Sequence, residues 1–304
     1  MKLIHTSTET DLSRGCAVAV GSFDGVHIGH REMLSLLVAE AKKEGIPAVI
    51  FTFDSADSPK NGAKLLALPE KKAELLDMLG IDAVFTAAFS ELRNMPPVEF
   101  AEGLLYGTLN ARVVVCGYDF RFGMNRAGDV ALIDKSLSPK GVRVVTASAV
   151  VDNGTPVSST LVRGLIANGD VKSANRLLGR GFSFSASVES GARLGRELGF
   201  PTINQALPQG LVIPKLGVYA VICRLDGREY EAVANVGCKP TVSDEKIIGC
   251  ESFMFGFSGD CYGKCVETEF VEFIRGEQRF DSVALLKAQV ERDIETAKKI
   301  FSKE

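Results

Sequence analysis

Two of the three histidines in the chain, His27 and His30, lie three residues apart in the stretch GSFDGVHIGH at residues 21–30. On one helical turn both imidazoles can reach the same anion and donate to it as charge builds in a transition state. An apolar run precedes this stretch and a helical pattern follows it. Because a helix start offers unpaired N–H groups and a partial positive charge, these residues predict a docking site for a triphosphate.

A second glycine-rich stretch, GARLGRELGFPTIN, occupies residues 191–204. Glycines at this density permit a loop to fold over phosphates with its N–H groups exposed. The chain therefore contains a candidate phosphate site in each half.

The elements around the first site form a regular alternation. Short apolar, β-branched runs alternate with helix-patterned segments through about residue 150, which predicts an α/β domain with a doubly wound parallel sheet. The predicted strands are 16–21, 47–53, 82–86 and 112–117, with 142–147 as a fifth candidate. The predicted helices between them are 31–43, 70–79 and 98–105.

The pattern changes in the second half. Residues 157–178 predict two short helices, the first capped by Ser158 or Ser159. From Phe182 onward apolar and polar residues alternate, and the strand-like runs 218–225, 231–236 and 264–273 have no helices between them. We expect an antiparallel sheet or small β-barrel, closed by a last helix that begins near Asp281. The predicted domains are residues 1–180 and 181–304.

Composition excludes several classes of function. The 304 residues, 46% of them apolar, are enough for two domains with separate cores, and a formal charge of -3 does not favour nucleic-acid binding. The sequence contains no uninterrupted apolar run of about 18 residues, so no membrane span is predicted. Seven cysteines without a CxxC pair resemble neither a disulfide framework nor a zinc ribbon. We expect a cytoplasmic protein whose seven thiols are packing residues. No pattern indicates its oligomeric state.

Residues 21–30 resemble the GxFDGxHxGH signature of bacterial FAD synthetases, a version of the HxGH motif of nucleotidyltransferases. The resemblance continues at GYDFRFG (117–123) with Arg126, and at VSST (157–160) with Arg163. It implies a Rossmann-like nucleotidyltransferase domain in which these segments surround ATP and the FMN phosphate. The implied ATP contacts are Gly21, Phe23, Asp24, Gly29, Ser158, Ser159 and Thr160. The implied flavin contacts here are Asp119, Phe120 and Arg126.

The chemistry that this resemblance implies is attack of an FMN phosphate oxygen on the α-phosphorus of ATP, with pyrophosphate leaving. A phosphate nucleophile is already ionised, so positioning and charge stabilisation matter more than base catalysis. His27, His30, Arg163 and Mg2+ would stabilise that charge. Two simpler roles stay open: helix capping for Ser159 and Thr160, and core packing for Phe120 and Phe122.

One segment departs from the family pattern. Members usually follow the second strand with a Pro-His-Pro cluster, whereas this chain continues from Phe53 through Asp54 and Asp57 without a histidine. The adenylyl-transfer site would then be weakened or would rely on Asp54 or Asp57.

The second glycine-rich stretch ends in FPTIN (200–204), which resembles the GFPTAN motif of riboflavin kinases with Ile in place of Ala. The match implies a Mg2+ site at Thr202 and Asn204, whose oxygens lie two residues apart on one face of a strand. It also implies a loop over the ATP phosphates. The implied ATP contacts in that loop are Gly191, Gly195, Arg196 and Gly199.

Three further segments resemble riboflavin kinases. Residues 235–241 resemble NxGxRPT with Lys239 for Arg, and residues 273–282 resemble the FLRPEQKFDS stretch that borders the flavin. Asn235 and Arg275 are the implied flavin contacts. Glu251 stands where the family has the Glu of Val-Glu-Thr-His. It is the candidate general base that accepts the proton of the ribityl hydroxyl during attack on the ATP γ-phosphorus.

Together the motifs predict a bifunctional enzyme that converts riboflavin to FMN and FMN to FAD. ATP is the co-substrate of both steps, Mg2+ is the cofactor, and the partners are these small molecules alone. Three alternatives stay open at this point. They are a kinase-only protein with impaired adenylyl transfer, a flavin-binding protein without turnover, and an adenylyltransferase for another small phosphate.

Overall fold

The computed structural model describes residues 4–5, 10–53, 64–190, 195, 199–239 and 247–303. By contacts the chain divides into a first unit, residues 1–63 and 67–158, and a second unit, residues 64–66 and 159–304. The sequence patterns predict a domain boundary between residues 180 and 181, whereas the contacts divide the chain after residue 158. Two helices lie between these two boundaries.

The first unit contains a sheet in which the apolar, β-branched runs pair in parallel. Its strands are β1 (Ile4–His5), β2 (Cys16–Val20), β3 (Ala48–Phe53), β4 (Ala83–Ala87), β5 (Ala111–Gly117) and β6 (Arg143–Ala147). Their order across the sheet is β1-β4-β3-β2-β5-β6, and within the described residues only the edge strand β1 runs antiparallel. A short hairpin follows, formed by β7 (Val151–Asp152) and β8 (Thr155–Pro156).

Helices cover both faces of this sheet. They are α1 (Ile28–Glu44), α2 (Pro69–Asp77), α3 (Phe89–Leu92), a π-helix (Glu99–Thr108) and α4 (Val130–Leu137), with 3-10 turns at Met124–Arg126 and Ser138–Lys140. Alternate residues of β2 enter opposite cores, because side chains alternate along a strand. Val18 packs with Phe100 and Ile133, whereas Ala17 packs with Leu34 and Leu37. The predicted doubly wound α/β domain is confirmed.

Apart from residues 64–66, the second unit begins with α5 (Ser159–Asn168) and α6 (Val171–Leu178) and continues as antiparallel strands. These are β9 (Phe182–Ser187), β10 (Ile203–Ala206), β11 (Gly217–Leu225), β12 (Arg228–Lys239), β13 (Ile247–Met254) and β14 (Cys265–Gly276). They lie in the order β10-β13-β12-β11-β14-β9. A bridge between Glu189 and Asn204 joins the two edges, so the sheet curls into the predicted small barrel.

The last helix, α7 (Val283–Phe301), begins two residues after the predicted start and is capped by Ser282, which accepts from the Leu285 amide. Its buried residues Ile294 and Ala297, three positions apart on one face of the helix, form an apolar stripe that packs against Val233 of the sheet. The burial of this stripe is what attaches the helix to the barrel.

Helix α6 generates a prediction about fragments. Val171, Ala174, Leu177 and Leu178 are buried, and Asn175 donates to the Phe270 carbonyl at 2.7 Å. A fragment of residues 182–304 lacks these contacts, so its free energy of unfolding should be at least about 3 kcal/mol lower than that of residues 159–304. Urea unfolding followed by circular dichroism measures the difference. Equal stability of the two fragments would show that α6 does not support the barrel.

Candidate active sites

The strand order places the first candidate site. Strand β2 lies between β3 and β5, and the order of the parallel strands reverses there. Ligands of doubly wound sheets bind beyond the carboxyl ends of the strands at such a reversal. Residues 21–30 follow β2, and residues 117–123 begin at the last residue of β5. The two segments with nucleotidyltransferase motifs therefore start at the same edge of the sheet.

The turn after β2 has an unusual backbone. Phe23 and Val26 have positive φ values, 48° and 43°, although neither is glycine, and Gly25 between them has a φ of 78°. For a β-branched residue such as Val26 this conformation is a true outlier, and it persists only where surrounding contacts impose it. Both side chains are fully buried in the core. The core thus fixes the path of the turn into α1.

His27 caps the helix that follows the turn. Its Nδ1 accepts from the His30 amide at 3.3 Å, so in the neutral ring Nε2 carries the proton and is the donor. Burial lowers the pKa of His27 to about 4, although the nearby Asp24 opposes the shift. The His30 ring stacks on it with centroids 3.6 Å apart. As predicted, the structure brings the two histidines together.

Three predicted ATP contacts of this turn, Gly21, Phe23 and Gly29, have side-chain positions that face the protein's own rings. The ring of Phe23 is inside the core, edge-on to His30, so only its backbone is placed to meet a ligand. A Cβ on Gly29 would lie 3.3 Å from the His27 ring, and one on Gly21 would lie 3.2 Å from the Phe23 ring. Glycine at these positions gives the two rings their space.

Lys72 is a residue of this region that the sequence patterns missed. It extends from α2, and its Nζ donates to the Ser22 carbonyl at 2.6 Å and to Thr52 Oγ1 at 3.1 Å. Burial lowers the pKa of Lys72 to about 8, opposed by the charge of Asp24. Lys72 is 50 residues from Ser22 in sequence, so no local pattern predicts that the two are in contact.

The segment that follows β5 combines two stacked phenylalanines with exposed polar side chains. Phe122 is buried and packs on Phe100, so the core-packing role is correct for it. Phe120 is half-buried and stacks on Phe122 with centroids 5.4 Å apart. Asp119 and Arg126 are exposed on either side. Their exposure is compatible with the predicted contact to a flavin phosphate.

The serine-rich motif leads into helix α5. Ser159 is its first residue and is buried, whereas Ser158 and Thr160 are exposed. Arg163 follows one turn later and is half-buried. Ser159, Thr160 and Arg163 belong to the second compact unit, and Ser158 ends the first.

The second candidate site is a row of side chains across three strands. Glu251 of β13 pairs with Asn204 of β10 on one side and with Asn235 of β12 on the other. Directly paired residues place their side chains on the same face, with Cβ atoms about 5 Å apart. Glu251 and Asn235 are exposed, and Asn204 is buried. The sheet therefore brings together the predicted metal ligand, base and flavin contact.

Thr202 and Asn204 have the properties of cation ligands. No residue in the described part of the chain donates to Asn204 Oδ1, which is buried. Thr202 lies two residues earlier, beside Gly195, where a Cβ would be 3.4 Å from its hydroxyl. Gly199 has a φ of 89°, which favours glycine. Gly191, Arg196, Asp54 and Asp57 lie outside the described residues.

Arg275 has a partner that the motif did not reveal. Its guanidinium donates from Nε and Nη2 to the buried carboxylate of Asp293 on α7, the shortest contact being 2.7 Å. Such a forked ion pair fixes the helix on the barrel. Nearby, a Cβ on Gly237 would lie 2.5 Å from Glu277 Oε1 and 3.3 Å from the Asn235 amide nitrogen. Glu277 is thus a second carboxylate beside the row.

The cysteines fit the predicted packing role only in part. Five are buried, and burial raises the pKa of Cys16 to about 12 and of Cys223 to about 11. Cys238 and Cys265 are exposed, so the packing interpretation is wrong for these two. Across the described ranges, no group of three His, Cys, Asp or Glu residues could hold a metal ion.

Comparison with known proteins identifies similar chains along the whole length. A family model described as FAD synthetase matches residues 9–161, and one described as riboflavin kinase matches residues 178–301. A protein of Pseudomonas fluorescens described as bifunctional riboflavin kinase/FMN adenylyltransferase is 35% identical to this chain. The match covers 94% of this chain and 93% of that relative. The Escherichia coli K12 relative of the same description is also 35% identical, over 99% and 98%.

A solved structure from Streptococcus pneumoniae, described as a macrolide-efflux protein, matches with a TM-score of 0.86 at 29% identity. The match covers 95% of this chain and 96% of that one. Among the described residues, no helix is long and apolar enough to cross a membrane.

The buried His27 predicts an acid-sensitive first unit. Its pKa is about 4 when folded and 6.5 as the ordinary value, so between these pH values only the unfolded chain binds the proton. Folding stability should therefore fall by about 2–3 kcal/mol as the pH drops from about 7 to about 4.5. In His27→Asn, which can still cap the helix but does not titrate, this part of the fall should disappear. Urea unfolding at both pH values tests it; equal losses in both proteins contradict the assignment.

Proposed function

The chain belongs to the family of bifunctional riboflavin kinase/FMN adenylyltransferases, and from that membership we propose how its residues carry out the two reactions. It is an ATP-dependent transferase that phosphorylates riboflavin to FMN and adenylylates FMN to FAD. The observation that carries this conclusion is that both halves match, in this order, over nearly the full chain. The kinase-only, non-catalytic and other-substrate alternatives have no support.

Adenylyl transfer takes place at the turn after β2. An oxygen of the FMN phosphate attacks the α-phosphorus of ATP, and the bond to pyrophosphate breaks without a proton having to move. His27 donates from Nε2 as a neutral ring, and His30, stacked on it, adds a second donor to the same oxygens. Asp119, Phe120 and Arg126 hold the flavin side, and Arg163 supplies further positive charge. The fixed tautomer of His27 supports this assignment.

Riboflavin phosphorylation takes place at the row of Asn204, Glu251 and Asn235. The ribityl 5′-hydroxyl is a weak nucleophile, so Glu251 accepts its proton as the oxygen attacks the γ-phosphorus and ADP leaves. Asn235 contacts the flavin beside it. The pairing of Glu251 with both asparagines supports this arrangement.

We assign the magnesium site of the kinase to Thr202 and Asn204. Two neutral oxygens suit an ion that keeps several waters and takes its remaining ligands from nucleotide phosphates. When bound, Mg2+ neutralises charge on the transferred phosphoryl group. The buried Asn204 Oδ1 without a donor among the described residues supports the assignment.

The domain limits and the location are further parts of the proposal. We assign residues 1–180 to adenylyl transfer and 181–304 to the kinase; the FAD synthetase model ends at residue 161 and the riboflavin kinase model begins at residue 178, close to this boundary. The protein would act in the cytoplasm, where its free thiols stay reduced. Incubation with riboflavin, ATP and Mg2+, followed by chromatography of FMN and FAD, tests both activities at once.

Removing either histidine should impair one activity only. In His27→Ala and in His30→Ala we expect FAD formation from FMN to fall about a hundredfold, because one donor to the transition-state charge is lost. FMN formation by the same preparations should be unchanged, and circular dichroism equal to that of the parent serves as the folding control for the first unit. If both variants synthesise FAD at the parental rate, the turn after β2 is not the adenylyl-transfer site.

Glu251→Gln should have the opposite pattern. The amide keeps the size of the side chain but cannot take the hydroxyl proton, so riboflavin phosphorylation should fall by about a hundredfold to ten-thousandfold. Riboflavin binding, followed by flavin fluorescence, should change little, and FAD formation from added FMN should continue. Parental phosphorylation in this variant would remove Glu251 as the base.

A further inference from the structure

The ammonium of Lys72 holds three segments of the first unit together. Its donor bonds to the Ser22 carbonyl and to Thr52 Oγ1 connect α2 to the turn after β2 and to the end of β3. Thr52 itself is buried and donates to the same Ser22 carbonyl at 3.4 Å. The three polar groups thus form a closed triangle at the carboxyl edge of the sheet, next to residues 21–30.

The charge of Lys72 matters because the turn has no lysine or arginine of its own. Residues 21–30 contain two histidines and the acidic Asp24 but no permanent cation. Within the described part of the chain, two of the three ammonium donors are accepted by Ser22 and Thr52. Because both acceptors are neutral, the ammonium keeps its full positive charge at the edge where a triphosphate has to dock.

Lys72 also holds the start of the strained turn, whose later residues are fixed by the core. Phe23 and Val26 are held in the left-handed region, at a cost of about 1–3 kcal/mol each. Ser22 directly precedes this strained segment, and Lys72 accounts for its shortest described hydrogen bond. Removing the ammonium takes away the shorter of the two described hydrogen bonds to the Ser22 carbonyl and leaves only that of Thr52 at 3.4 Å, so the start of the strained segment is held less firmly.

The charged groups around Lys72 are few. The turn contributes Asp24 and the neutral His27, β3 contributes the uncharged Thr52, and on α2 Lys71 is paired with Glu74 at 3.0 Å. Burial outweighs the attraction of Asp24 and keeps the pKa of Lys72 near 8. The ammonium is therefore charged at neutral pH and loses its proton in mildly alkaline solution.

We propose that Lys72 is a positioning residue for adenylyl transfer, which in its protonated form fixes the turn after β2 and provides positive charge beside the ATP phosphates. The proposal rests on the placement of ATP at that turn. The role of Lys72 differs from that of His27 and His30, because the histidines donate to the phosphate oxygens whereas Lys72 acts through the Ser22 carbonyl.

The test compares Lys72→Met, Lys72→Arg and the neighbouring control Lys71→Met in the full chain. The measurement is kcat/KM for ATP in FAD formation from FMN, from about pH 6.5 to about pH 9.5. We expect Lys72→Met to lose about a hundredfold at neutral pH, as for one lost charge contact, and Lys71→Met to match the parent. Lys72→Arg should recover at least a tenth of the parental value, because a guanidinium stays charged.

The pH profile separates a charge role from a merely structural one. The parental kcat/KM should decline above about pH 8, where the ammonium deprotonates, and the Lys72→Arg profile should stay flat in that range. Titration of the substrates would appear in both profiles and cancels in their ratio. Riboflavin phosphorylation by each preparation shows that the second unit is folded, and a circular dichroism spectrum and thermal melt equal to those of the parent show that the first unit is folded.

Three results overturn the proposal: less than a threefold loss in Lys72→Met, an arginine variant as impaired as the methionine variant, or identical pH profiles of the parent and Lys72→Arg. Failure of the underlying function looks different, because then the parent itself makes no FAD from FMN. If Lys72→Met does not fold, the arginine profile alone decides.

Discussion

Side chains on a strand point alternately to its two faces, and both candidate sites depend on that constraint. In the first unit, alternate residues of β2 enter the cores on opposite faces of the sheet, so both faces are covered and ligands are left only the strand ends. In the second unit, the same alternation points Asn204 and Glu251 to one face and Gln205 and Ser252 to the other. The candidate site of the first unit therefore lies at the edge of its sheet, and that of the second unit lies on a face of its sheet.

The register of the second sheet is fixed from inside the barrel. Gln205 is fully buried and donates to the carbonyls of Ala186 and Val266 at 2.9 and 2.7 Å, while Thr268 donates to its side-chain oxygen at 2.7 Å. A slip of β10 by one residue would turn this side chain outward and break all three bonds, and each unsatisfied buried group would be costly. The polar interior therefore keeps Asn204 opposite Glu251.

Much of this architecture could be predicted because it follows from the spacing of apolar and polar residues that are close in sequence. The strands from Cys16 to Ala147, the stripe of α7 and the turn at residues 21–30 are continuous patterns. The partners of Lys72 and of Arg275 could not be predicted, since each contact joins elements that are distant in sequence. The positive φ values of Phe23 and Val26 were also hidden, because neither residue favours that conformation and only the packed core imposes it.

The two reactions place opposite demands on burial, and the chain meets them with different surroundings. Adenylyl transfer needs donors whose orientation does not change; in the proposed donor His27 the bond from the His30 amide selects one tautomer and burial holds the ring. The kinase needs a group that takes a proton and passes it on. Glu251, the proposed base, is exposed, so water could receive that proton after transfer. A buried carboxylate would lack this route, and in the row it is the neutral Asn204 that is buried.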